Sequence, residues 1–444
     1  MNARATASDM AAERITRALS PLGDDPRSID GLVVAIGDAR FVLLGEPTHG
    51  TDEVYRLRAS ITRRLLAERG FDAVAIEADW PDALRVNEYV RRRGTDPDGR
   101  AALGGFAGRF PTWMWRNEVV LDFVEWLRHA ELDVGFYGLD LYSMYASIAL
   151  VLRYLDANEP AAAVRARERY ACLERFGADT SRYAMEVGPG GARNCAREVT
   201  EQLVELRARV LAERNAGSVE ADELFAAEQN ARLVQNAEAY YRCMFEGSVT
   251  TWNLRDRHMA DTLDDLASHL DRRLGRPCKI VVWAHNSHLG DARATEMGAL
   301  GERNVGQLVR ERYGRDAFLV GFTTYEGTVT AASDWDRPAE VKRLRPALDG
   351  SFEALFHRTG VARFLLLPDA RRALPVELER ECLERAIGVV YRPRSERTSH
   401  WFHARLARQF DAVVHVDRTT AVVPLEPGTG WHGGEAPETF PFAV

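Results

Sequence analysis

The sequence predicts an α/β protein: a layered α/β/α core with a mainly parallel sheet and a large helical insertion. Three observations predict it. Short apolar runs, rich in branched and aromatic residues, recur along the chain, as in strands buried on both faces. Helical patterns separate the early runs, which is the signature of βαβ units. The stretch from about 145 to 275 is rich in Ala, Arg and Glu and carries long helical periodicity instead.

In chain order, Met10 to Leu22 has apolar residues at helical spacing and reads as a surface helix. The strand-like runs are Phe41–Leu44, Ala73–Ile76, Val134–Leu139, Ile280–Ala284, Phe318–Phe322, Phe364–Leu367, Ile387–Val390 and Val413–Val416. Val54–Arg69 separates the first two as a helix, and Arg116–Ala130 separates the second and third. Within the insertion the helical segments are Ala196–Arg214, Leu224–Phe245 and Leu254–Leu270, with Gly188-Pro189-Gly190-Gly191 as an interrupting loop. Periodicity leaves an open sheet and a barrel both open. The expected organisation is a catalytic α/β core from residues 1–144 and 276–424. Residues 145–275 form the insertion, either a cap over the active site or an outer layer. Residues 425–444 form an extended, Gly- and Pro-rich tail.

The chain has 444 residues, 46% hydrophobic and 28% charged, which excludes wholesale disorder. A net charge of -8 argues against a global basic footprint for nucleic acid. Only Lys279 and Lys342 are lysines among 58 basic residues, a skew that reads as genomic composition. The five cysteines, Cys172, Cys195, Cys243, Cys278 and Cys382, have no CxxC spacing. Neither a disulfide framework nor a zinc ribbon is expected. Met1 to Leu22 lacks the continuous apolar core of a signal peptide, and no run has the length of a membrane span. The expectation is a soluble, cytoplasmic monomer or homodimer that acts on a small molecule, with neither nucleic acid nor membrane as partner.

In open parallel sheets, ligands sit beyond the carboxyl ends of the strands. Four predicted strands end in acid/base residues: Gly45-Glu46-Pro47-Thr48-His49-Gly50, Glu77-Ala78-Asp79-Trp80, Asp140, and His285-Asn286-Ser287-His288. In a parallel sheet all four reach one edge. Asp79 and Asp140 read equally well as helix caps. Glu46 and His49, three apart in a Gly-bounded loop, can share one space, and a carboxylate beside imidazole suits a general base. Glu77 at the end of a buried strand needs a partner or a function. His285 and His288 fit catalytic, hydrogen-bonding or metal roles, although H-x-x-H alone falls short of a zinc site. His400 and His403, beside Ser399, read as packing or capping at a helix start. The sequence contains no G-x-S-x-G elbow, no H-E-x-x-H, no P-loop and no strand followed by G-x-G-x-x-G. A water nucleophile activated by His49 or Glu46 is the simplest hydrolytic mechanism left.

The Gly45–Gly50 motif, Arg58, Glu77 and the late Trp283-Ala284-His285-Asn286-Ser287-His288 together resemble the erythromycin esterase family. The resemblance covers roughly residues 30 to 420. Family members hydrolyse the lactone ester of macrolide antibiotics, which confers resistance, on an α/β fold with a helical insertion. The resemblance implies that His49 is the general base and that Glu46 and Glu77 orient it or hold the water. His285 and His288 would polarise the carbonyl or protonate the leaving alkoxide. Arg58 would anchor Glu77 or stabilise the oxyanion. Arg116, Asn117 and Asn253 are rim candidates, with Asp140 also at the substrate. Trp80, Trp113, Trp115, Tyr137 and Tyr142 either line an apolar pocket or belong to the core; the core is preferred for Trp113 and Tyr137. Glu77-Ala78-Asp79-Trp80-Pro81-Asp82 and Ser399–His403 look more like the family's uncharacterised branch than the resistance enzymes. No cofactor and no metal are expected. The alternatives are acyl, amide or peptide-derived biosynthetic chemistry (cyclisation or dehydration) at the same site, a metal-dependent hydrolase with Glu46, His49, Glu77 and His285 as ligands, and a haem- or metal-binding protein.

Overall fold

The computed structural model describes residues 2–176, 179–188, 193–212, 219–368 and 376–426. Its strands are β1 (Leu19–Pro21), β2 (Phe41–Leu44), β3 (Ala73–Asp79), β4 (Gly135–Asp140), β5 (Ile280–Trp283), β6 (Ala317–Ala331), β7 (Glu340–Leu344), β8 (Arg363–Leu366), β9 (Cys382–Arg385), β10 (Trp401–Ala404) and β11 (Ala412–Thr419). Nine form one open sheet in the order β1-β8-β11-β6-β2-β5-β3-β4, with β7 beside the far end of β6. The six strands from β11 to β4 are mutually parallel. Among the described residues, antiparallel pairing in this sheet occurs at β1, β8 and β7, and β9 pairs with β10 in a separate hairpin.

Successive residues of a strand face opposite sides of a sheet. Here both sides are covered. Phe41, Leu43, Ala75, Tyr137, Ile280 and Val282 pack on one side against Val151, Tyr170, Leu206, Leu233 and Leu263 of the helices between β4 and β5. Val42, Leu44, Val74, Ile76, Val281 and Trp283 pack on the other against Ile61, Leu65, Val120 and Phe123 of helices Asp52–Arg69 and Glu118–His129. That double burial is why the strands read as unbroken apolar runs. Between β4 and β5 the described residues form the helices Met144–Asn158, Pro160–Glu174, Thr180–Val187, Ala196–Ala212, Val219–Arg242 and Ser248–Leu274, which pack on the first of these sides. The loop residues 189–191 and the tail beyond 426 lie outside the described residues.

Four local expectations are corrected. The first helix stops at Ala18, and Leu19–Pro21, read as its last turn, is an edge strand on β8. Ile387–Val390 is not a strand. Its residues bond to different neighbours in turn, Ile387 bridging Thr48 and Val390 bridging Ala332, and the ladder lies earlier, at β9. Only Ile387 of this run is buried, and an apolar run without alternation cannot by itself specify a ladder. His400 closes a short helix, Glu396–Ser399, rather than opening one, and His403 lies in β10. Cys172 and Cys195 form a disulfide within the helical layer, leaving Cys243, Cys278 and Cys382 free. No helix among the described residues is long and apolar enough to cross a membrane.

Candidate active site

The four strands that end in acid/base residues are immediate neighbours, in the order β2, β5, β3, β4, and run in one direction. Their carboxyl ends therefore bring Glu46 and His49, His285 and His288, Glu77, and Asp140 to one edge, as the parallel-sheet rule requires.

The turn after β2 is held at both glycines. A Cβ on Gly45 would stand 2.1 Å from the Asn286 Oδ1, and one on Gly50 would stand 2.0 Å from the Thr330 carbonyl oxygen, so only glycine permits these approaches. Between them, Glu46 Oε1 lies 2.9 Å from His49 Nδ1. Glu46 Oε2 lies 3.0 Å from the guanidinium of Arg58, which is fully buried over the rings of Tyr55 and Trp283. Arg58 thus supports Glu46, not Glu77. The Tyr55 hydroxyl donates to the His49 carbonyl at 2.8 Å and fixes the backbone of the loop. With Nδ1 bonded to a carboxylate, the imidazole holds its second nitrogen, Nε2, as the reactive one.

His285 caps the short helix Asn286–Leu289, its Nδ1 accepting the Ser287 N–H at 3.2 Å and lying 2.8 Å from the Ser287 hydroxyl. Burial, reinforced by its neighbour His49, pushes its pKa down to about 3, so the ring is neutral near pH 7. Neutral with Nδ1 accepting, it carries its proton on Nε2, which is buried with the Pro47 carbonyl as its neighbour and no hydrogen bond of good geometry. The His49 and His285 rings are 4.9 Å apart.

Glu77 sits where the β3–β4 register shifts between Ile76 and Asp79, an irregularity of the kind that re-aims a side chain. Its Oε2 accepts the His285 N–H at 2.8 Å, and its Oε1 is 3.0 Å from Arg255 and 3.2 Å from His288 Nε2. Burial opposes the charge of Glu77, yet His288 and Arg255 hold the carboxyl well below its usual range. Arg255 also grips Asp140 with two bonds, 3.0 and 2.6 Å. His288 Nδ1 lies 2.9 Å from Asp256, and its ring stacks on Trp252 at 4.5 Å. Burial works against its charge, but Asp256 and Glu77 prevail and raise its pKa to about 9. Both His288 nitrogens are thus engaged, Nδ1 at Asp256 and Nε2 between Glu77 Oε1 and the Arg255 guanidinium, each 3.2 Å away. Among the described residues, no group of three or more His, Cys, Asp or Glu is arranged to hold a metal ion.

Several expected site residues are engaged elsewhere. Asn117 caps the helix Glu118–His129, accepting the Val120 N–H at 2.9 Å and donating to Trp113 and Met114. Arg116 pairs with Glu426. Asn253 fastens the loop at Gly301 and Arg303. Trp80 is core, stacked on Tyr137 and set edge-on against Phe225 of the helical layer. Trp113 packs on Phe110, Trp115 donates to the Glu77 carbonyl, and Tyr142 packs on Tyr240. His403 pairs with Glu296, and His400 lies against Ser399 and Val390. Arg255 and Asp256 were not singled out, though a weak signal exists: Arg255 stands one turn before Met259, at the head of the buried stripe Met259, Leu263, Leu266, Leu270 of the helix Ser248–Leu274.

The family model described as erythromycin esterase matches residues 66–419. Erythromycin esterase type II of Escherichia coli is 23% identical over 366 residues, covering 77% of this chain and 84% of that protein. YbfO of Bacillus subtilis (strain 168), provisionally named a hydrolase, is 22% identical over 417 residues, covering 87% and 85%. A solved structure of a succinoglycan biosynthesis protein shares the fold with a TM-score of 0.73 at 20% identity, over 95% of this chain and 99% of its own. A mutant erythromycin esterase in its open conformation does so with a TM-score of 0.67 at 19% identity, over 90% and 95%. The family match runs from within the helix after β2 to the end of β11 and includes Glu77, Arg255, His285 and His288. The chain belongs to the erythromycin esterase family and so, at the level of the family, stands among hydrolases.

Proposed function

We propose that the chain hydrolyses an ester or lactone with water activated by His49 and without a metal. The observation that carries this is the Glu46–His49 pair at 2.9 Å with the buried His285 ring 4.9 Å from His49 beside it. A base and an electrophile on adjacent rings are the two groups that acyl transfer to water requires. Glu46 accepts from Nδ1 of His49, and Nε2 removes a proton from water as the oxygen attacks the carbonyl carbon. The carbonyl oxygen becomes an oxyanion and accepts from His285 Nε2–H. Collapse expels the alkoxide, which takes the proton from His49, leaving acid and alcohol. The names of the Escherichia coli relatives make a macrolide lactone the first substrate to try.

The test is mass spectrometry of macrolides and a panel of lactones and esters incubated with the protein, with and without chelator. The expected result is gain of one water, unaffected by chelator. H49A is expected to lower turnover by about 10²–10⁴-fold with its melting temperature nearly unchanged. Retained turnover in H49A would end the base assignment, and loss of activity on chelation would end the metal-free mechanism.

A further inference from the structure

The loop that carries Glu46 and His49 is clamped from outside the main sheet. Asn286 donates its backbone N–H to the Glu46 carbonyl at 2.9 Å, and its side chain fills the space that a Cβ on Gly45 would need. That side chain is fixed in turn. Its Nδ2 donates to the Phe322 carbonyl at 2.7 Å, its Oδ1 accepts the Phe322 N–H at 3.2 Å, and its Nδ2 also reaches Glu384 Oε1 at 3.4 Å. Glu384 belongs to β9, in the separate β9–β10 hairpin. The chain just beyond it touches the same loop directly, with the Ile387 N–H donating to the Pro47 carbonyl at 3.0 Å and Ile387 bridging Thr48.

Glu384 is fully buried, and its Oε2 has no partner. Burial, added to the charge of its neighbour Glu353, pushes its carboxyl well above the usual range, with Asn286 and Gln409 only partly offsetting this. A buried carboxyl without a cation is a poor choice for packing alone. Its neutral acid has the shape and hydrogen-bonding outline of an amide, so glutamine should substitute for it and an alkyl chain should not.

We propose that Glu384 is a positioning residue for the Glu46–His49 pair and acts through Asn286. The proposal rests on the reading of that pair as the reactive one, but its test does not require turnover. In full-length protein labelled with ¹⁵N-histidine, NMR follows solvent exchange of the His49 Nδ1–H, identified by its absence from H49Q. E384Q is expected to exchange within about twofold of the parent, and E384L and E384A on the order of tenfold faster, while circular dichroism shows all three folded. Parent-like exchange in folded E384L and E384A would overturn the proposal. So would equal loosening in E384Q, or unfolding of both E384L and E384A, which would make Glu384 a residue of structure alone. A parent protein lacking the protected proton would remove the pair itself and the proposal with it. The predicted exchange pattern in a protein that turns over no ester would instead count against the hydrolase reading and leave the proposal standing.

Discussion

Between β3 and β4, Arg255 donates to Glu77 and Asp140 from a covered position. Removing one partner of a buried ion pair leaves the other charge without compensation, at a cost of about 3–5 kcal/mol. R255M is therefore expected to lose stability in that range, measured by urea denaturation; a loss under about 1 kcal/mol would show that Glu77 is held by His288 and that Asp140 does not depend on the guanidinium. Arg58 follows the same logic at Glu46, its guanidinium stacked on Tyr55 and Trp283. At this scale the sequence was informative where residues stand close in the chain. Glu46 with His49 and His285 with His288 were legible from spacing. Arg255 and Asp256 were not, because one charged pair in an Arg- and Asp-rich helix carries little signal until its neighbours from β3, β4 and β5 are known.

Among elements, β2 to β5 behaved as their composition indicated, because burial on both faces leaves a continuous apolar run as its trace. The aromatic residues illustrate the opposite case. Trp80, offered as a pocket residue, opens the helix Trp80–Val90 and wedges between Tyr137 of β4 and Phe225 of the helical layer. W80A is thus expected to act on stability, by about 3–5 kcal/mol, with little change in the Michaelis constant. Chemical denaturation beside steady-state kinetics separates the two, and a raised Michaelis constant with full stability would restore the pocket reading. Ile387–Val390 failed as a strand because its backbone hydrogen bonds go to the Glu46–His49 loop and to Ala332, partners that composition does not encode.

For the molecule as a whole, two imidazoles at the site bend stability in opposite directions with pH. His288 is raised to about 9 from an ordinary 6.5, so its contribution is complete below 6.5 and is lost as pH rises through about 9. His285 is lowered to about 3, so its contribution is complete above 6.5 and is lost as pH falls toward 3. Urea denaturation between pH 5 and 9 is expected to show stability falling on both sides of about 6.5, with H288Q flattening the alkaline arm; an unchanged alkaline arm in H288Q would show that another group controls it. By itself the sequence determined the α/β class, the strands from β2 to β5 and, given a parallel sheet, the gathering of Glu46, His49, Glu77, Asp140 and His285 at one edge. These follow from local periodicity and from the direction shared by parallel strands. Only the tertiary structure decided that Arg58 pairs with Glu46, that Arg255 pairs with Glu77, and that Ile387, just beyond β9, bonds to the Glu46–His49 loop. Those pairings join residues far apart in the chain, and the cost of burying a lone charge or an unpaired amide selects them only once the strands are in place.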